Sequence, residues 1–188
     1  MKTLCKIIFS FILIISVLPG AKGSAHTCTS GGENLGYVID CNNHTGTSSI
    51  NYKIASMDAA HEGYVKAGAK LWGNTNVVVF NTSAINTNNV VHTYTDPNTP
   101  SNAAFYLYSS DSSGHLIQWA IKLNKHKMDS RSSTLNITTV AHEFGHAIGL
   151  NDLKNTDNKN KLMYGTDGKT VSSPQAADIL GAKKILGQ

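Results

Sequence analysis

Two histidines four residues apart, with a glutamate beside the first, are the side chains of this sequence best suited to chemistry: His142-Glu143-Phe144-Gly145-His146. On an α-helix, positions i and i+4 lie one above the other on one face, so both imidazoles can meet a single metal ion. Glu143 then sits about a quarter-turn round, within reach of a water on that metal without being needed as a ligand. Gly149 continues the same face and is placed to end the helix, because glycine accepts left-handed geometry at a helix C-terminus. The chain can double back there and offer Asp152 as a third ligand. Two histidines, one carboxylate and an open fourth position describe a catalytic zinc site, not a closed structural one.

Other sources for the third ligand can be weighed on the sequence. One class of zinc enzyme takes a glutamate from a later helix, but no glutamate follows Glu143. The downstream carboxylates are Asp152, Asp157, Asp167 and Asp178, and Asp157 lies in a polar Asn/Lys-rich stretch that reads as solvated. The helix that carries the histidines also needs a buried side. Val140, Phe144 and Ala147 supply it, at the i, i+4, i+7 spacing of a core-facing stripe.

The full motif reads H-E-x-x-H-x-x-G-x-x-D from His142 to Asp152, and Leu162-Met163-Tyr164-Gly165 follows. In these two elements the sequence resembles the metzincin metalloproteases, whose zinc helix is followed by a methionine turn. Its layout is closest to the matrixins, and its aspartate ending resembles the small secreted bacterial snapalysins; most metzincins carry histidine where this chain has Asp152. The resemblance implies His142, His146 and Asp152 as zinc ligands, Glu143 as the catalytic base and Met163 as the methionine beneath the metal. It also implies an α+β catalytic domain with a twisted mixed five-stranded sheet and three helices. By that layout a polypeptide substrate would lie extended along an edge strand near residues 103–109, with Tyr106 or Tyr108 as candidates to line the cleft and Tyr164 to wall the specificity pocket. Calcium is a further cation the resemblance and the Asp/Asn-rich loops admit, although no loop has the alternating acids of an EF-hand. No cysteine lies between the zinc helix and the methionine turn, and a layout without a zinc-blocking propeptide is expected.

The N-terminus points to a compartment. Lys2 and Lys6 precede an apolar run from Ile7 to Leu18, too short to span a bilayer but right for a signal-peptide core, with small residues that suit cleavage after Gly23 or Ala25. We therefore read residues 1–25 as a signal peptide and 26–188 as one secreted catalytic domain, expected to act as a monomer. Removing the signal takes away three lysines and no acid, leaving 13 basic and 12 acidic side chains. A near-neutral chain gives no electrostatic support for nucleic-acid binding. Nothing after the signal resembles a membrane span. Cys5 leaves with the signal, and Cys28 and Cys41 remain as an even pair in an oxidising compartment, expected to form a disulfide. The alternative, one thiolate capping the zinc, would need a surrounding prosegment.

The elements that must position these groups follow from periodicity. Strand-like runs occupy 50–55, 77–81, 90–95, 104–108 and 116–123, with a helix at 58–72 whose Ala60, Tyr64, Ala67 and Leu71 are spaced for burial. Ser110 to Gly114 reads as a hairpin turn. The zinc helix is expected over 135–150, and a last helix opens at Ser172 or Ser173 with Pro174 in its first turn and Ser172 and Gln175 as a capping box. His61-Glu62 begins like a second zinc motif, but position 65 is valine, so the pair reads as exposed. His44, His92, His115 and His126 lack a partner at ligand spacing, and Asn43, Asn81 and Asn136 open glycosylation sequons. Two function classes remain: a secreted zinc endopeptidase, and a secreted metal-stabilised binding or adhesion module with little catalysis. Retention of Glu143 favours the enzyme.

Overall fold

The computed structural model describes residues 28–82, 87–166 and 168–188; the expected signal peptide lies outside them. A short N-terminal hairpin pairs β1 (Gly31–Gly32) with β2 (Tyr37–Val38). Next come β3 (Ser49–Ile54), α1 (Ala59–Gly73), β4 (Val79–Thr82), β5 (Val90–Tyr94), β6 (Ala103–Ser110) and β7 (Leu116–Asn124). A single-turn α2 (Lys125–Met128), the long α3 (Ser133–Ile148) and α4 (Ala176–Ile185) complete the chain. Strands β3 to β7 form one mixed sheet in the order β4-β3-β5-β7-β6, parallel except for β6, which runs antiparallel to β7 at one edge. The α+β class, the mixed five-stranded sheet and three substantial helices are therefore as expected. None of the helices among the described residues is long and apolar enough to cross a membrane.

Both long inner helices start where side-chain chemistry allows. Asp58 accepts the His61 N–H at the start of α1, and Ser132 accepts the Leu135 N–H at the start of α3, satisfying donors that have no partner inside the helix. Gly149, at φ +117°, closes α3 in the left-handed conformation the sequence suggested. Val140, Phe144 and Ala147 are fully buried, and Phe144 packs against Phe80, Tyr52 and Trp119.

On α1 the burial stripe is one residue out of phase with the reading above. His61, Val65, Gly68, Ala69 and Trp72 are the buried residues; of the expected four, Tyr64 and Leu71 pack against the core from its flank, Ala67 is half-buried and Ala60 is exposed. A glycine and a histidine had hidden the true stripe. A side chain at Gly68 would meet Val140 and the backbone of Ala141, so its absence lets α1 lie close on α3. Trp72 uses that proximity, donating its indole N–H to the Ala141 carbonyl at 2.8 Å. His61 is consequently buried and not exposed, its Nδ1 2.8 Å from the Asp58 carboxylate. The last helix also begins later than expected, at Ala176. Gln175 stands before it with its N–H on the Asp178 carboxylate, and Pro174 lies outside. Asn136 is buried inside α3 with its amide on the Met128 carbonyl, so that sequon is no acceptor in the folded chain.

Candidate metal centre

Helix α3 does what the i, i+4 spacing demands. The rings of His142 and His146 stand 4.8 Å apart at nearly a right angle, and both Nε2 atoms face the Asp152 carboxylate, at 3.0 and 3.5 Å from its Oδ1. Potential ligand atoms of these three residues all lie within 4.8 Å of one another, and no other such group occurs among the described residues. Calcium accordingly finds no support there.

The far side of each imidazole is held by backbone. His142 Nδ1 is 2.9 Å from the Leu162 carbonyl and His146 Nδ1 is 2.7 Å from the Leu150 carbonyl. A carbonyl only accepts, so each Nδ1 carries a proton and each Nε2 is turned to the shared point, where its lone pair would be available to a metal and where, without one, an Nε2–H can donate to Asp152. Such outer hydrogen bonds are how metal-ligating histidines are oriented.

Electrostatics agree with a cation at that point. Burial would raise the Asp152 carboxyl, but hydrogen bonds from His142 and then His146 outweigh it and hold the group well below the usual carboxylate range. Burial would lower His146, yet the hydrogen bond to Asp152 and the charge of Glu143 lift it above the ordinary imidazole value. Two neutral imidazoles and a carboxylate are a donor set that suits zinc.

Two glycines make room for this arrangement. A side chain at Gly145 would run into the Met163 sulfur, so Met163, almost wholly buried, packs directly against the turn of α3 between the two histidines. At Gly165 a Cβ would sit 2.6 Å from Asp152 Cγ and 2.8 Å from its Oδ1. The methionine turn itself hangs from Asp178 on α4. That carboxylate accepts the N–H groups of Leu162 at 2.9 Å and Met163 at 3.1 Å, as well as Gln175. Burial lifts the Asp178 carboxyl above the ordinary range despite those three donors. In the sequence Asp178 stood out only as one of the carboxylates downstream of Glu143; its role needed α4 to fold back.

A cleft of about 360 Å³ opens beside the cluster, lined by His142 and Glu143 together with Ala103, Arg131, Thr139 and Val171. Glu143 thus faces the space in front of the ligands. Phe105 of β6 places its ring 6.0 Å from that of His146. Because successive residues of a strand face opposite ways, Tyr106 points to the other side of the sheet, where the Lys122 ammonium lies 4.1 Å over its ring. The cleft-side aromatic of this strand is therefore Phe105, not Tyr106; Tyr108 is exposed at an irregularity further along. Tyr164 is buried, and the cleft wall after the methionine turn includes Gly165, Thr166 and Val171. Cys28 and Cys41 are joined in a disulfide, so neither thiol caps the metal.

Solved structures of the same fold exist. Myroilysin superposes with a TM-score of 0.53 at 15% identity, over 81% of this chain and 98% of that one. A hatching-enzyme zinc-protease from the medaka fish Oryzias latipes, high choriolytic enzyme 1, superposes with a TM-score of 0.49 at 12% identity, over 86% of this chain and 99% of that one. No family model and no curated protein matches the sequence. The chain shares the fold of myroilysin.

Proposed function

We propose that this chain is a secreted zinc endopeptidase that hydrolyses peptide bonds in extended polypeptides. The observation that carries this reading is the convergence of His142, His146 and Asp152 on one point with Glu143 lining the adjoining cleft. Zinc held by the three would supply a Lewis acid that polarises a peptide carbonyl and lowers the pKa of a water from about 15.7 towards 7. Glu143 is the group placed to take the proton of an attacking water and return it to the leaving amine. Leu150 and Leu162 keep both imidazoles in the tautomer this requires. Asp178 and Met163 hold the floor beneath them.

Among the described residues strand β6 is an edge of the five-stranded sheet, paired with β7 alone. Its Ala103 lines the cleft and its Phe105 neighbours His146. An extended peptide can add to this edge by main-chain hydrogen bonds, which place a carbonyl beside Glu143 without demanding a particular sequence. Residues after Met163, Gly165, Thr166 and Val171 among them, would then shape the pocket for the side chain beyond the cleaved bond, with Tyr164 buried behind them.

The test is cleavage of denatured casein by the mature chain, with zinc quantified, beside Glu143→Ala. The expected result is about one zinc per chain in both proteins and activity only in the wild type, lower in the variant by a factor on the order of 10² to 10⁴. A zinc-loaded wild type without activity would favour the metal-stabilised binding module, and a chain that takes up no zinc would end the site reading.

A further inference from the structure

Of the three ligands, Asp152 has the weakest native support. The two histidines project from a buried helix, whereas Asp152 sits on a loop with its side chain 42% exposed. Its neighbour Asn151 and residues 154–157 are exposed as well. On the inner side only Leu153 anchors this loop, giving its N–H to the Met163 carbonyl and accepting from Gly165.

The outer side is held by the N-terminal segment. Val38 accepts the Asn151 N–H at 2.8 Å, and the Asp40 N–H reaches the Gly149 carbonyl at 2.8 Å. Beyond the ligand, both oxygens of the Glu33 carboxylate are taken up by the loop. One accepts the Lys154 N–H at 2.8 Å; the other accepts the Asn155 N–H and, at 3.3 Å, the Asn158 amide. Hydrogen bonds of backbone N–H groups to a carboxylate are of the strong, charge-assisted kind. Their partners lie 121 and 122 residues away in sequence, so they tie the loop to the hairpin and are no part of the hairpin's own closure. That hairpin is closed separately, by pairing of β1 with β2, by the Ile39 N–H on the Ser30 carbonyl, and by Cys28–Cys41.

We propose that Glu33 is a positioning residue for the zinc ligand Asp152, and that the Cys28–Cys41 segment is a splint bound across the loop. This rests on the reading of His142, His146 and Asp152 as zinc ligands. With Val38 fixing position 151 and Glu33 fixing 154 and 155, the backbone of Asp152 is restrained on both sides by one disulfide-closed segment. Without the Glu33 carboxylate, the loop keeps Leu153 inside, Val38 at position 151 and the Asn158 amide on the Glu33 backbone carbonyl at 3.1 Å, but loses the outer restraint on 154 and 155, and Asp152 spends less time facing the two imidazoles. The zinc site is then completed by a part of the chain over a hundred residues away from it in sequence.

The experiment is a zinc dissociation constant measured by competition with a chromogenic chelator, with the melting temperature of the zinc-free chain recorded in parallel. Mature wild type is compared with Glu33→Ala, Glu33→Gln, Asp152→Ala and the Glu33→Ala/Asp152→Ala double variant, a weaker chelator serving the Asp152 variants. Partners that orient a metal ligand typically change affinity by about 10- to 100-fold, so Glu33→Ala is expected to weaken zinc by that factor. Glu33→Gln, which keeps one acceptor oxygen and the shape, falls between, and it carries the test if the alanine variant does not fold. In the Asp152→Ala background the Glu33 effect should shrink to less than about twofold, because the two residues act as one unit. The Cys28→Ala/Cys41→Ala variant should weaken zinc in the same direction as Glu33→Ala. A contact that merely supports the fold would lower the melting temperature with and without zinc and leave the dissociation constant unchanged; that result overturns the proposal. So does a Glu33 effect that persists in full without Asp152. A wild type that binds no zinc would refute the ligand reading and this proposal together, whereas a zinc-binding but inactive wild type would remove only the protease reading.

Discussion

Replacing Gly165 by alanine should damage the metal site without damaging the fold. A Cβ there would lie 2.6 Å from Asp152 Cγ and 2.8 Å from both its Cβ and Oδ1. Carbon atoms in contact settle at about 3.5–4.0 Å, so relief requires a displacement of about 1 Å. Asp152 cannot yield by rotating its tip alone, because its own Cβ is among the atoms struck. Metal sites tolerate ligand errors of only about 0.2 Å, so a shift of 1 Å removes the carboxylate as an effective ligand. Loss of zinc affinity by at least the 10- to 100-fold seen when a ligand's support is cut is expected, about 1.4–2.7 kcal/mol. Gly165 has no positive φ, so alanine is tolerated by the backbone there. The melting temperature of the zinc-free chain should therefore change little. Gly168→Ala is the matched control. It lies three residues on, at φ +99° with nothing near its would-be Cβ, so it strains the backbone but touches no ligand. Chelator competition reads both. Unchanged zinc affinity in Gly165→Ala, or an equal loss in Gly168→Ala, would refute the claim that Gly165 makes room for Asp152.

Three further outcomes are expected. Asp178→Asn leaves buried N–H groups of Leu162 and Met163 short of acceptors, which should cost about 1–3 kcal/mol in urea unfolding. Trp72→Ala empties a fully buried site and frees the Ala141 carbonyl, and should destabilise by about 3–5 kcal/mol, checked the same way. Glu33 is held below the usual carboxylate range, first by the Lys154 N–H and then by that of Asn155. A depressed folded value means its stabilisation is present above the unfolded pKa of about 4.3 and is lost as the pH falls through the folded value. The melting-temperature gap between wild type and Glu33→Gln should thus be constant from about pH 7 to pH 5 and narrow below about pH 4; a gap that does not depend on pH would contradict the assignment.

How much of this was legible in the sequence depended on whether the signal was local. The helix of the two histidines, its buried stripe and its glycine stop are all set by spacings within one element, and the structure has all three, with the helix shifted two residues towards the N-terminus, at Ser133–Ile148. Five strands were found because β-branched and aromatic runs between turn residues are local too. What stayed hidden was carried by backbone or by distant parts of the chain. The carbonyls of Leu150 and Leu162 that orient the imidazoles have no sequence signature. Asp178 and Glu33 act on loops they meet only after folding. His61 looked exposed because helix patterning counts apolar side chains, and a histidine capped by Asp58 can be buried without being one.

Asp152, the proposed third ligand, joins these two groups of residues. A histidine on a helix inherits its position from the hydrogen bonds of that helix, so the sequence that specifies α3 also specifies His142 and His146. Asp152 has a shorter side chain, on a loop, and must be brought to the metal by everything around it. Gly165 leaves the space it occupies, Leu153 pins the chain from inside, and Glu33 and Val38 hold it from outside. The supports come from the methionine turn, from the loop itself and from the disulfide-closed N-terminal segment, and a change at any of them would alter the proposed zinc site without altering a ligand. Changes at these positions should therefore tune metal affinity over a wider range than changes within α3 itself, where a substitution either keeps the helix and both histidines or loses them together.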